Sequence, residues 1–126
     1  MEKNFIEFDP LEFEPIRAIA LQFPGVEDSL SHNNTPSLKV GKKFLCRLHE
    51  SGNFIAIRMD FALRDAYLNS HPEIFHLPDH YKAYPSVCLW LPISDKSLLK
   101  EVIEFCWRAL ASKKQITEWD RNINKQ

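Results

Sequence analysis

Between residues 35 and 59, short stretches of alternating apolar and polar residues are separated by very short connections. Leu38 lies on one face of the first stretch and Lys39 on the other, which is the period of two that a half-buried strand shows. A turn at residues 41–42 and a hairpin loop at residues 50–53 leave no room for the long crossover that parallel strands require. The segment therefore predicts an antiparallel meander of three strands.

Strict alternation through the middle strand of this meander predicts which side chains share a face. One face would carry Phe44, Cys46 and Leu48. The opposite face would carry Leu45, Arg47 and His49. If the register is simple, alternation also brings four basic side chains to comparable faces of the sheet: Lys39, Lys43, Arg47 and Arg58.

The strongest helical pattern covers residues 94–111, where apolar residues recur at helical spacing for nearly four turns. Ser94 or Asp95 precedes this pattern as a candidate N-cap. A shorter helix of about ten residues is expected after Asp60, which is also a candidate N-cap. The inner side of that shorter helix would carry Leu63, Ala66 and Tyr67.

The remaining segments complete an α+β pattern. Near the N-terminus, Asp9 fits an N-cap, Phe8 and Phe13 fit a hydrophobic staple, and Pro15 predicts either a short turn followed by a helix or one kinked helix. Residues 74–77 are a candidate short strand. Residues 86–91 are apolar on both faces, which predicts a central strand covered by helices on at least one side.

The chain has 126 residues and a formal net charge of −1, so it has the size of one domain and no basic excess to recommend nucleic acid as a partner. We expect residues 1–112 to form this domain and residues 113–126 to be a polar tail that docks or frays. The three cysteines are far apart and lie in apolar runs, which indicates buried thiols. No apolar run is long enough to span a bilayer and the N-terminus lacks a signal-peptide core, so we expect a cytoplasmic protein without a membrane partner.

Several short motifs follow one another in a recognisable order along residues 15–112. They are Phe23-Pro24-Gly25-Val26-Glu27, the run from Thr35 through Gly41-Lys42-Lys43-Phe44, Arg64, Pro72-Glu73-Ile74-Phe75, His80-Tyr81 and Trp107. Together these motifs resemble the MmcQ/YjbR family. The resemblance implies an α+β domain of the CyaY-like type, with helices on one face of a twisted, mostly antiparallel sheet, in a family often labelled DNA-binding.

Basic residues on the meander are the candidates for contacts with DNA phosphates: Lys39, Lys42, Lys43, Arg47 and Arg58. Phosphate contacts need cations on one surface, and a β-hairpin can present such a surface to a groove. His80 and Tyr81 would shape or join the site as a binding loop, and Tyr81 or Tyr84 would stack on exposed bases. We therefore expect non-specific, salt-sensitive DNA binding.

The histidine-rich segment at residues 71–85 raises two other possibilities. His76 and His80 are ligand types suited to zinc, but Pro78 lies between them and no further ligand at suitable spacing completes a set. We therefore interpret His80 and Tyr81 as partly buried residues that orient the loop, with no metal or other cofactor. The alternative to DNA binding is a small module that binds a protein or a small ligand through this loop.

Catalysis finds no support in the sequence, because a glycine-rich phosphate loop, a Gly-x-Ser-x-Gly elbow and a His-Glu-x-x-His motif are all missing. We therefore expect a protein that is not an enzyme. The tryptophans are interpreted as core or docking residues: Trp90, Trp107 and Trp119.

Overall fold

The computed structural model describes residues 10–31 and 34–124 and shows an α+β fold, which confirms the predicted fold class. All strand pairs of its six-stranded sheet are antiparallel, in the order β1-β2-β3-β4-β6-β5. The strands are β1 (Val26–Leu30), β2 (Pro36–Val40), β3 (Lys43–Leu48), β4 (Phe54–Arg58), β5 (Phe75–His76) and β6 (Ser86–Trp90). The helices are α1 (Glu14–Ala20), α2 (Phe61–Ser70), α3 (Lys96–Leu110) and α4 (Lys113–Asn124).

The predicted meander is confirmed as strands β2, β3 and β4. Strand β1, which was not predicted, extends the sheet beyond it by pairing with β2 along its whole length, from Val26 opposite Val40 to Leu30 opposite Pro36. The interior of β1 is Glu-Asp-Ser, a composition that strands disfavour. Pairing with β2 therefore outweighs the local propensity of this edge strand.

A β-bulge in β3 overturns the predicted division of that strand into faces. The register shifts so that Leu38 pairs with Cys46 while the next residue, Lys39, pairs with Phe44. The extra residue, Leu45, is completely buried beside Cys46, whereas Phe44 is only half-buried. Leu45 therefore joins the core face and Phe44 lies opposite, which reverses the prediction for both residues because a bulge interrupts strict alternation.

The helices begin largely where the sequence predicts. A 3-10 turn over Pro10–Phe13 leads into α1, so the first of the two alternatives around Pro15 is confirmed. The predicted N-cap Asp9 and staple residue Phe8 lie outside the described residues. The Asp60 and Asp95 carboxylates accept hydrogen bonds from backbone N–H groups of α2 and α3, at 2.9 and 3.0 Å, which confirms both caps.

Helix α2 differs from prediction in its inner side. Ala66 is exposed, and the guanidinium-bearing side chain of Arg64 is buried in its place beside Tyr67. Tyr67 still packs in the core and Leu63 packs against it, so α2 combines apolar packing with the polar contacts of Arg64.

One apolar core lies between the sheet and helices α1, α2 and α3. Its sheet side is built from the alternate residues of the strands, including Leu38, Ile55, Ile57, Val87 and Leu89. Residues 113–124, predicted as a tail that docks or frays, form α4 and dock on this body through Ile116 and Trp119. In the described part of the chain, no helix combines the length and apolarity needed to cross a bilayer.

The other residues of each strand form what we call the open face, because none of the helices in the described part of the chain covers it. In chain order, its side chains are those of Glu27, Ser29, Ser37, Lys39, Phe44, Arg47, Phe54, Ala56, Arg58, His76, Ser86, Cys88 and Trp90. Ala56 and Cys88 are buried, yet neither belongs to the core on the helical side. The centre of the open face therefore consists of small side chains that larger neighbouring side chains cover.

Candidate nucleic-acid interface

A single cross-strand row runs through the centre of the open face. The pairing places Arg47 opposite Ala56, Ala56 opposite Cys88, and Cys88 opposite His76. Residues directly opposite each other on antiparallel strands have their side chains on the same face. A guanidinium and an imidazole thus flank two small residues, and beyond Arg47 the row continues to Ser37 and Ser29.

Arg47 lies on the open face as the sequence predicts, but its guanidinium forms an ion pair with a neighbouring glutamate. Its guanidinium lies 2.6 Å from the Glu50 carboxylate and also donates to the Thr35 hydroxyl at 3.4 Å. Burial opposes ionisation of Glu50, but a backbone hydrogen bond and the Arg47 guanidinium outweigh it and lower the Glu50 pKa to about 2. Arg47 therefore offers less net positive charge to a ligand than its position alone suggests.

Arg58 lies at the end of β4 on the same face and borders a hollow of about 280 Å³. Within residues 10–31 and 34–124, no carboxylate forms a salt bridge with Arg58, Lys39 or Lys42. The hollow is lined by Phe44, Arg58, His80, Tyr81, Tyr84, Pro85 and Ser86. It therefore combines the Arg58 guanidinium with several aromatic rings.

The three lysines are divided between different parts of the sheet. Lys39 is half-buried on the open face, and Lys42 is exposed in the turn between β2 and β3. Lys43 pairs with the core residue Val40, and its ammonium donates to the carbonyl of Leu110 at 3.1 Å, at the C-terminus of α3. The expectation that Lys43 shares a face with Lys39 and Arg47 is therefore wrong, because the bulge shifts the alternation between them.

The loop that follows the 3-10 turn Asp79–Tyr81 is held from beneath by Arg64 of α2. One guanidinium nitrogen of Arg64 donates to the carbonyls of Lys82 and Tyr84, at 3.2 and 3.0 Å. The guanidinium also lies over the ring of Phe61, 4.7 Å from its centroid. Arg64 is thus a structural residue of the site, a role that its charge in the sequence does not reveal.

His80 and Tyr81 border the hollow, and Tyr81 is half-buried as expected, whereas the expectation of a partly buried His80 is wrong. His80 is exposed and contacts Tyr81 and Tyr84 through its ring. Burial raises the pKa of the half-buried Tyr81, the Cys88 thiol adds to the rise, and Arg47 opposes it through charge and a hydrogen bond. The contacts of Arg64 and of Tyr81 therefore both hold the loop, while the His80 side chain is exposed.

At the other end of the open face, four rings form an aromatic platform, which we define as His49, Phe54, His76 and Trp90. His76 stacks on Trp90 with 3.6 Å between ring centroids and 8° between ring planes. Phe54 meets both of these rings edge-on and stacks on His49 at 4.2 Å. Trp90 remains 44% exposed, so its interpretation as a core or docking residue is wrong.

The position of Trp90 in the sequence is itself a signal for this platform, although we interpreted the residue otherwise. Trp90 is two residues after Cys88 and alternates with the core residue Leu89, which places it on the face opposite the core. By contrast, Trp107 is completely buried, and its indole N–H donates to the carbonyl of Pro24 at 2.8 Å. Trp119 is half-buried and docks α4, so these two tryptophans follow the prediction.

The titratable groups of the described residues do not assemble a metal site, since no three histidine, cysteine or acidic side chains converge there. The cysteines are buried and free, as expected. Burial raises the pKa of Cys88 and of Cys106 to about 12, so both are neutral thiols rather than nucleophilic thiolates at physiological pH. The arrangement on the open face is thus suited to contacts through charge and ring stacking.

Comparison with known proteins leaves this site to be interpreted from its own chemistry. No family model, no curated protein and no solved structure matches the chain.

Proposed function

We propose that this chain is a non-enzymatic, cytoplasmic DNA-binding protein of the MmcQ/YjbR type, and that it binds through the open face of its sheet. The observation that carries the proposal is the presence of Lys39, Arg47 and Arg58 on one face together with exposed aromatic rings. Cations supply phosphate contacts, and rings supply contacts to bases. Lys42 extends the positive charge beyond the edge of this face.

The number of available cations predicts weak binding. Lys39 and Arg58 have no salt-bridge partner among the described residues, whereas Glu50 partly neutralises Arg47. Glu27 also lies opposite Lys39 on the neighbouring strand. Two or three phosphate contacts give a slope of log affinity against log salt of about −2 to −3, which weakens binding roughly 15- to 60-fold between about 50 and 200 mM salt.

The first test is charge reversal at the two cations of the open face that have no salt bridge among the described residues, Lys39→Glu together with Arg58→Glu. We expect this double variant to lose binding to fluorescein-labelled DNA in an anisotropy titration at about 50 mM salt, because it removes the phosphate contacts and adds repulsion. Thermal unfolding of the variant confirms that it remains folded.

The matched control is Lys113→Glu together with Lys114→Glu, which changes the net charge equally. Both lysines are exposed on α4, which docks on Phe23 and Trp107 on the helical side of the sheet. The control should keep most of the affinity. Equal losses in the two double variants would show that net charge, and not the open face, governs binding.

The hollow beside Arg58 favours a second candidate function, the binding of a small anionic aromatic ligand. Its volume of about 280 Å³ is modest, and its lining combines one guanidinium with Tyr81, Tyr84 and His80. Ligand pockets commonly join apolar walls to a few polar groups in this way. A thermal-shift screen of such compounds tests this candidate, and a response that Tyr84→Ala removes while DNA fails to bind would favour it over DNA binding.

A further inference from the structure

We infer that the preferred ligand of the open face is an unpaired DNA strand, whose bases stack on Trp90 and Tyr84. This inference rests on the proposed function and names the form of DNA that the site selects. It follows from the balance between few cations and several exposed rings.

The charge on the open face is too low for a surface that depends on a duplex backbone. Lys43 is directed to the C-terminus of α3, and Arg47 is bound to Glu50, so two of the five candidate cations are largely unavailable to phosphates. Affinity for duplex DNA comes mainly from neutralised phosphates. The remaining affinity has to come from another kind of contact.

Exposed rings supply that contact at both ends of β6. Trp90 is 44% exposed at the end of the strand, and Tyr84 is 55% exposed just before its start. The four residue steps from Ser86 to Trp90 span about 13 Å along the strand. A single strand lying along β6 would therefore meet one ring at each end.

Trp90 is held in place before any ligand arrives. His76 covers one side of its ring in a parallel stack at 3.6 Å, and Phe54 contacts it edge-on at 5.7 Å. A ring fixed in this way loses little conformational freedom when a base stacks on its exposed surface. The aromatic platform is thus a preorganised stacking surface.

Base stacking on aromatic side chains favours unpaired DNA over a duplex. In a duplex each base is already stacked between its neighbours, whereas an unpaired base presents its ring to an aromatic side chain at no cost in base pairing. Arg58 and Lys39 complement the negative backbone of that strand on the same face. Stacking is tolerant of sequence, so we expect little sequence preference.

The test compares a fluorescein-labelled oligothymidylate with a duplex of the same length by anisotropy at about 50 mM salt. We expect the oligothymidylate to bind more tightly. Trp90→Ala and Tyr84→Ala should each weaken its binding roughly 5- to 100-fold, as expected for the loss of one base–aromatic stack. Ile123→Ala is the control, because Ile123 is a similarly exposed apolar side chain (42%) on α4, the helix that docks on the helical side of the sheet.

Tryptophan fluorescence provides a readout that a merely destabilised variant would not mimic. Trp90 is the most exposed of the three tryptophans, so stacking of a thymine should quench the wild-type emission, and Trp90→Phe should remove most of the quenching. Equal or tighter binding of the duplex, or full affinity in both alanine variants, would overturn the inference and leave the proposed function standing. Failure of both forms of DNA to bind would overturn both.

Discussion

Arg64 fixes the loop at the site, although it does not itself line the hollow. Its side chain is buried, donates to two backbone carbonyls of the Tyr81–Pro85 loop and packs on Phe61. Replacing it by methionine keeps the apolar stem but leaves both carbonyls without their donor. We expect Arg64→Met to lower the free energy of unfolding in urea by about 2–4 kcal/mol.

A matched control for Arg64→Met is Arg58→Met, the same replacement at an exposed arginine that has no salt bridge among the described residues. Its effect on stability should remain within about 0.5 kcal/mol. Limited trypsin digestion gives a local readout, because a released loop exposes the bond after Lys82. If Arg64→Met is as stable and as resistant as the wild type, Arg64 does not hold the loop.

Three basic residues show which features of single positions can be predicted from the sequence. Lys39 was placed correctly, because simple alternation holds along β2. Lys43 was placed on the wrong face, because Phe44, Leu45 and Cys46 are all apolar and the run gives no sign of which residue forms the bulge. The role of Arg64 depends on the loop carbonyls above it, which only the tertiary structure brings within reach.

Helix α4 is the element whose contribution to the fold is least evident from composition. Trp119 contacts Phe23 at 4.5 Å and Trp107 at 6.0 Å between ring centroids, and Arg108 of α3 lies 2.6 Å from the Asp120 carboxylate. Because Trp119 is half-buried, we expect Trp119→Ala to reduce stability by about 2–3 kcal/mol, somewhat less than for a fully buried tryptophan. Thermal or urea unfolding measures the loss.

Glu118→Ala serves as the control for Trp119→Ala, since Glu118 is exposed on the same helix and alanine suits a helix interior. It should change stability by no more than about 0.5 kcal/mol. Equal stability in both variants would mean that α4 is not part of the cooperative unit.

The sequence predicts some helices and strands much more clearly than others. Helix α3 was predicted because its apolar stripe continues over nearly its whole length. Helix α4 carries a weaker signal at its start: Ser112 and Gln115 form a reciprocal capping box, with hydrogen bonds of 2.9 and 3.1 Å. Strand β1 has no comparable signal, and it depends on its pairing with β2 and on the ion pair of Asp28 with Arg17 at 2.7 Å.

The stability of the whole molecule depends on two histidines at the open face whose partial burial disfavours the charged imidazolium form. Burial lowers the pKa of His76 from its ordinary 6.5, and both of its ring nitrogens are shielded without a hydrogen-bond partner in the described part of the chain. Burial also lowers the pKa of His49, and Arg47 adds to this effect while Glu50 opposes it. A proton on either ring would therefore be less stable in the folded protein than in the unfolded chain.

This difference predicts how the stability of the molecule depends on pH. As pH falls below 6.5, the unfolded chain takes up protons at these two positions before the folded protein does, so the free energy of unfolding decreases until the lowered native pKa values are reached. Urea unfolding at intervals between about pH 7.5 and 5 should show this decrease. The pKa values of Glu50, Asp28 and Asp120 are lowered in the folded protein, so these carboxylates change the free energy of unfolding only in more acidic solutions. His76→Phe, which keeps a ring on Trp90 but cannot be protonated, should make the decrease smaller, and adding His49→Gln should nearly abolish it. A decrease of unchanged size in the double variant would show that other groups govern the stability of the protein in this range.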